Sequence, residues 1–282
     1  MSHFRPWPYP RVIAHRGGGA LAPENTIAAI EVGRAHGFSA IEIDAMLARD
    51  EVPVLMHDPT VDRTTDGKGP VGALTAAELE RLDAGGWFDA RYRGERVPSL
   101  AAAIRHCRAH GVWIDIEIKP GHGDARRTGE VVARTAVELY ADCMRPGVDR
   151  AESIDPRAPL LSSFSAEALA AAREAAPALP RGWITSRVPE DWRTRLAALG
   201  CVALHTNHRH LTRAVARAIK DAGYWLFCYT VDDPARAREI LDWGADAFCT
   251  DRIDLIGPDF AWTRAAAQCA PAAQRRHPSD GD

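Results

Sequence analysis

Short apolar runs alternate with longer segments of helical period along most of this 282-residue chain, and that rhythm restricts its fold more than any other feature. Runs of strand length lie at 11–14, 40–46, 112–118, 159–163, 182–185, 202–205, 224–230 and 246–250. Between most of them stand stretches such as "ENTIAAIEVGRAHG", "SLAAAIRHCRAHG" and "DPARAREILDWGA". Several close on a glycine at a helix C-terminus: Gly37, Gly111, Gly223 and Gly244. Helix, glycine, buried strand is the joint of a repeating β-α unit. Eight such units over about 250 residues predict a (β/α)8 TIM barrel. An open, doubly wound sheet is the competing arrangement, because periodicity does not report closure.

Residues 58–98 break the rhythm with many Gly, Asp and Arg, and are expected to form a small subdomain inserted after the second strand. The barrel domain is then 11–257, and 258–282 is expected to be a partly disordered tail. The formal charge of −3 gives no reason to expect nucleic acid or an anionic membrane as partner. The opening "MSHFRPWPYPR" has no apolar core of a secretory signal, and no window of spanning length is apolar throughout, so integral membrane association is not expected. Six scattered cysteines without a C-x-x-C pair read as reduced core thiols, which suits a cytoplasmic location. The oligomeric state is not legible.

Two strands carry acid in alternation. In "AIEIDAM" (40–46), Glu42 and Asp44 share a face; in "WIDIEIK" (113–119), Asp115, Glu117 and Lys119 do. On an open antiparallel sheet this would be an ordinary solvent face. In a barrel the polar face points inward, where isolated carboxylates are too costly to leave uncompensated. Lys119 offsets one, and the remainder calls for a cation. An all-oxygen set suits Mg²⁺ or Ca²⁺ rather than zinc. His15 ends the first strand and His57 ends the apolar run "VPVLMHD", so both are expected at the C-terminal ends of strands, where barrel active sites lie.

These elements together resemble the glycerophosphodiester phosphodiesterase family, of the bacterial cytoplasmic type. The resemblance rests on "HRGGGALAPENT", "EIDAMLARDEVPVLMHD" and "IDIEIK", in that order and at similar separations, followed by "SSF" (162–164), "YTVDD" (229–233) and "CTD" (249–251). It covers roughly residues 11–256. It implies metal-dependent hydrolysis of a small-molecule glycerophosphodiester to sn-glycerol 3-phosphate and an alcohol. Carried over position by position, it makes Glu42, Asp44 and Glu117 metal ligands and His15 and His57 the acid–base pair, with Arg16 and Lys119 at the phosphate. It further implies that the substrate's own glycerol hydroxyl attacks, giving a cyclic phosphate that water opens. Tyr229 stands where the family commonly has tryptophan.

Phe164, Trp225 and Tyr229 are expected to wall the pocket around the glycerol or alcohol moiety, with plain core packing as the alternative, and glycines 17–19 to leave room for phosphate and metal with backbone N–H groups facing the anion. "HTNHRH" (205–210) lies at a strand end and loop without metal-ligand spacing and reads as loop polarity or substrate contact, and Asp251 as support for the barrel mouth. The alternatives are a related phospholipase D-like enzyme acting on lysophospholipids, and a non-catalytic phosphate-binding barrel.

Overall fold

The computed structural model describes residues 6–121, 124–143 and 154–260. Strands β1 (Val12–Ala14), β2 (Ala40–Leu47) and β3 (Pro53–Leu55) come first, with helix α1 (Ile27–Ala35) between β1 and β2. Helices α2 (Ala76–Leu79) and α3 (Leu100–Ala109) precede β4 (Trp113–Ile118). Strand and helix then alternate: α4 (Ala125–Leu139), β5 (Leu160–Ser163), α5 (Ala166–Ala175), β6 (Arg181–Thr185), α6 (Trp192–Leu199), β7 (Ala203–Asn207), α7 (Arg213–Asp221), β8 (Trp225–Tyr229), α8 (Pro234–Trp243) and β9 (Ala247–Thr250).

The sheet closes. β1 pairs in parallel with β2 on one side and β9 on the other, so β1, β2 and β4 to β9 form an eight-stranded parallel barrel. The open-sheet alternative is thereby excluded. β3 is an antiparallel addition on β2 that carries the chain towards His57. The helices start where the sequence supplies caps: Thr26, Ser99, Asp124, Ser165, Thr212 and Asp233 each accept a backbone N–H of the first turn. Gly111 and Gly244 follow α3 and α8 at φ of 67° and 106°, a conformation that side chains with a Cβ resist.

Alternation along the strands divides the interior into two shells. Ile41 and Ile43 of β2, Ile114 and Ile116 of β4, Leu204 and Leu226 face outward and pack beneath the helices. Ile13, Trp113, Leu160, Trp225 and Phe227 face inward and fill the barrel floor. The segment before β1 folds beneath them: Tyr9 stacks on Trp113 at 4.2 Å between centroids, and Trp7 meets Trp225 edge-on at 5.3 Å. Residues 58–98 build a third, smaller core from Val61, Val71, Leu79 and Val97, anchored on Met46 and Met56. The five described cysteines are buried and unpaired; Cys269 lies outside the described residues, as does the expected tail from 261 onward.

Candidate active site

β2 and β4 run in parallel with Glu42 opposite Asp115 and Asp44 opposite Glu117. Because both strands alternate in phase, all four carboxyls point into the barrel near its C-terminal mouth. One oxygen each from Glu42, Asp44 and Glu117 lies within 4.8 Å of the others. Lys119 Nζ sits 3.2 Å from Glu117 Oε1 and 3.6 Å from Asp44 Oδ1. Asn25, held at φ 58° just before α1, locks Asp44: its amide donates to Oδ2 at 2.8 Å and its carbonyl accepts the Asp44 N–H at 3.0 Å.

Arg16 reaches the same cluster. Its Nε lies 3.5 Å from Asp44 Oδ2, and its Nη1 donates to Glu24 at 2.8 Å. Glu24 is also gripped by Arg63 of the 58–98 segment, so that segment helps to aim Arg16. Each histidine has a carboxylate on Nδ1: Asp251 Oδ1 at 2.7 Å for His15 and Asp58 Oδ1 at 2.7 Å for His57. Such a partner turns Nε2 towards the opposite side. Both rings line a cavity of about 200 Å³ with Glu42, Glu117 and Lys119.

The charges do not balance evenly. Burial, then repulsion from Asp44 and Glu117, pushes Glu42 well above the usual carboxyl range. Burial raises Asp115 likewise, against a hydrogen bond from Ser162. Glu117 is raised by burial and Asp44 to about 7. Burial would also raise Asp44, but Lys119 and Arg16 outweigh it and hold its carboxyl low. The two fixed cations therefore serve Asp44 first and leave Glu42 under-compensated. A hard divalent cation held by Glu42, Asp44 and Glu117 would correct that deficit, and the all-oxygen donor set fits such an ion.

Four sequence expectations need correction or completion. Trp225 is buried at the start of β8 in the barrel floor, the opposite end from the cavity, whereas Tyr229 at the end of the same strand lines it. Half-exposed Phe164 meets the Tyr229 ring edge-on at 6.0 Å, so these two aromatics do share the pocket wall. Glycines 17–19 serve close packing more than an open cradle. A Cβ on Gly18 would fall 2.9 Å from the Ala29 carbonyl oxygen, and one on Gly19 would fall 2.4 Å from that of Asp251. The N–H groups of Gly17 and Gly19 donate to the carbonyls of Ala14 and His15 rather than facing the cavity. His205 stands in the strand expected at 202–205 and lines the cavity. It lies inside β7, stacked on Phe227 at 4.4 Å with Nδ1 3.5 Å from Asp115 Oδ2, and burial lowers it to about 3.

Asp251 was legible only as support for the mouth; its contact with His15 needed the ring closure that brings β9 beside β1. Asp58 follows His57 directly in "HD", which was the available signal for its pairing.

A family model described as the glycerophosphoryl diester phosphodiesterase family matches residues 15–255. The chain belongs to that family. A glycerophosphodiester phosphodiesterase of Caldanaerobacter subterraneus is 31% identical over 253 residues, which cover 87% of this chain and 95% of that protein. Among solved structures, a phosphodiesterase of Oleispira antarctica in complex with its product sn-glycerol-3-phosphate is 34% identical at a TM-score of 0.75, covering 86% of this chain and 93% of that one. A glycerophosphodiester phosphodiesterase of Agrobacterium tumefaciens is 30% identical at a TM-score of 0.69, covering 89% and 98%. No helix among the described residues is long and apolar enough to cross a membrane.

Proposed function

We propose that this chain hydrolyses glycerophosphodiesters to sn-glycerol 3-phosphate and an alcohol, with His15 and His57 as the acid–base pair. The observation that carries the reading is the convergence of two Nδ1-anchored histidines and three carboxylates on one cavity that also holds Lys119 and Arg16. The product complex of the Oleispira relative supports the substrate class. Glu42, Asp44 and Glu117 would hold Mg²⁺ or Ca²⁺, which supplies Lewis-acid polarisation of a phosphoryl oxygen when bound.

The chain's own groups perform the rest. Arg16 offers a planar fork and Lys119 a point charge to the non-bridging oxygens, whose negative charge grows as the phosphorus is attacked. One histidine removes the proton from a glycerol hydroxyl of the substrate, whose oxygen bonds to phosphorus while the bond to the alcohol oxygen breaks. The other histidine delivers a proton to that departing oxygen. Water then opens the cyclic phosphate with the two roles reversed. Attack within one molecule gains from high effective molarity. Burial lowers His57 below the ordinary histidine range, which favours the neutral ring that can accept a proton. Phe164 and Tyr229 flank the alcohol. The buried, unpaired thiols support the cytoplasm as the working compartment.

Glycerol 3-phosphate release from a panel of glycerophosphodiesters and lysophospholipids tests the reading. Turnover of the water-soluble diesters is expected, and His15→Ala and His57→Ala should each lower it by about 10²–10⁴. Near-wild-type turnover in both variants with metal present would overturn the assignment.

A further inference from the structure

A second cluster of side chains of metal-ligating type lies on the outer helical shell. Glu31 projects from α1, and His106 and His110 come from the last turn of α3 and its C-cap. The i, i+4 spacing places the two imidazoles on one face, with ring centroids 4.5 Å apart. One ligand atom from each of Glu31, His106 and His110 lies within 4.8 Å of the other two. α3 passes through Gly111 into β4, so His110 sits level with the N-terminal ends of the strands, away from the mouth.

The imidazoles are arranged as donors. His110 Nδ1 is bonded to the His106 carbonyl at 2.8 Å, which requires the hydrogen on Nδ1 and leaves the Nε2 lone pair free. Metal-bound histidines are commonly fixed by such a bond to a backbone carbonyl. His106 Nε2 already meets Glu31 Oε1 at 2.5 Å, so nitrogen and carboxylate face each other across a single hydrogen. Arg34 competes for this carboxylate, at 2.7 Å from Oε1 and 2.6 Å from Oε2, and can remain on Oε2 if Oε1 becomes a ligand.

We propose that Glu31, His106 and His110 form a second metal site that takes a borderline divalent ion of the Zn²⁺ class. The ion takes the place of the hydrogen between His106 and Glu31, and His110 closes in by side-chain rotation. Tetrahedral zinc with ligands at about 2.0–2.2 Å separates them by roughly 3.3 Å. The ligand atoms, now within 4.8 Å of one another, would close the remainder by side-chain adjustment, for which exposed His110 and half-buried Glu31 and His106 leave room. Two imidazoles and one carboxylate select zinc-like ions over Mg²⁺ or Ca²⁺, the reverse of the all-oxygen mouth. The bound ion clips α1 to α3, joining segments 75 residues apart in the chain.

Zn²⁺ titration of the full chain, stripped with EDTA and then kept in excess Mg²⁺ to fill the mouth, tests the proposal. The wild type should bind Zn²⁺ and gain thermal stability from it. Glu117→Gln should behave alike, while His106→Gln with His110→Gln should weaken binding at least tenfold and lose the thermal gain. Circular dichroism of the double variant checks that it folds. Three results would overturn the site: no Zn²⁺ bound by the wild type, unchanged binding in the double variant, or binding lost only in Glu117→Gln.

Discussion

The two ends of this barrel are built from the same strands and have opposite chemistry. β4 begins with Trp113 in the floor and ends with Glu117 and Lys119 at the mouth; β8 begins with Trp225 and ends with Tyr229. At the floor, aromatic rings from three segments pack together and fill space, and burial stabilises. At the mouth, burial places four carboxylates among too few cations, and the raised Glu42, Asp115 and Glu117 record the strain. Stability and activity should therefore separate along a strand's length. Substitutions at the C-terminal end should abolish turnover without unfolding the chain, and those at the N-terminal end should do the reverse.

The largest separation is expected for Glu117→Gln, which removes a charge from the crowded cluster while keeping the shape. Its kcat/KM should fall by about 10³ or more. Its Tm should stay level or rise, because one member of a repelling set has gone. A Tm drop matching the activity loss would break the comparison. Next, Trp225→Ala should destabilise by about 3–5 kcal/mol in a denaturant melt, since it empties part of the aromatic floor. The folded fraction should keep kcat/KM within about threefold. Loss of specific activity in that fraction would put Trp225 back in the pocket.

Which face a residue occupied was readable from the sequence, and its place within a strand-length run gave its height, as for His15 and His57 at C-terminal ends; aromatic type alone did not separate floor from mouth. Period-two alternation is a local property, and it placed Glu42, Asp44, Asp115 and Glu117 inside once closure was assumed. Trp225, Phe227 and Tyr229 share that inward face equally well. Trp225 stands near the start and Tyr229 near the end of the 224–230 run, and the register of β8 against β7 and β9 puts the first in the floor and the last at the mouth. Long-range partners were hidden for a related reason. Asp251 meets His15 across 236 residues, and His205 meets Asp115 across strands that are not neighbours. The glycine-rich turn misled because absent side chains admit either a ligand or a packed helix, and α1 takes the space.

Smaller effects sharpen the contrast. Asp251→Asn should reduce kcat/KM by about 10–100-fold, since it loosens the orientation of His15 without removing it. Its metal affinity and Tm should remain close to wild type, and equal loss of all three would make Asp251 a structural support only.

The smallest expected effect is on the pH dependence of stability. Glu42, Asp115 and Glu117 hold protons in the folded chain that the unfolded chain has released, so folded carboxyls are raised above their unfolded values. The contribution of these carboxyls to the stability of the metal-free protein should therefore decline as pH rises from about 4.5 towards 7, against the opposite contribution of His57 and His205, which burial keeps neutral. Saturating Mg²⁺ or Ca²⁺ should flatten that slope, because the ion binds the deprotonated forms. Identical slopes with and without metal would mean that the acidic cluster is not the ion's site.

The most direct measurement is glycerol 3-phosphate release by wild-type protein stripped with EDTA and then titrated with Mg²⁺ or Ca²⁺, beside Glu117→Gln treated identically. The expected result is negligible turnover when stripped, recovery as a divalent ion is added back, and no recovery in the variant. Full turnover by the stripped enzyme, or a Glu117→Gln variant that recovers like the wild type, would contradict a metal-holding mouth built by β2 and β4.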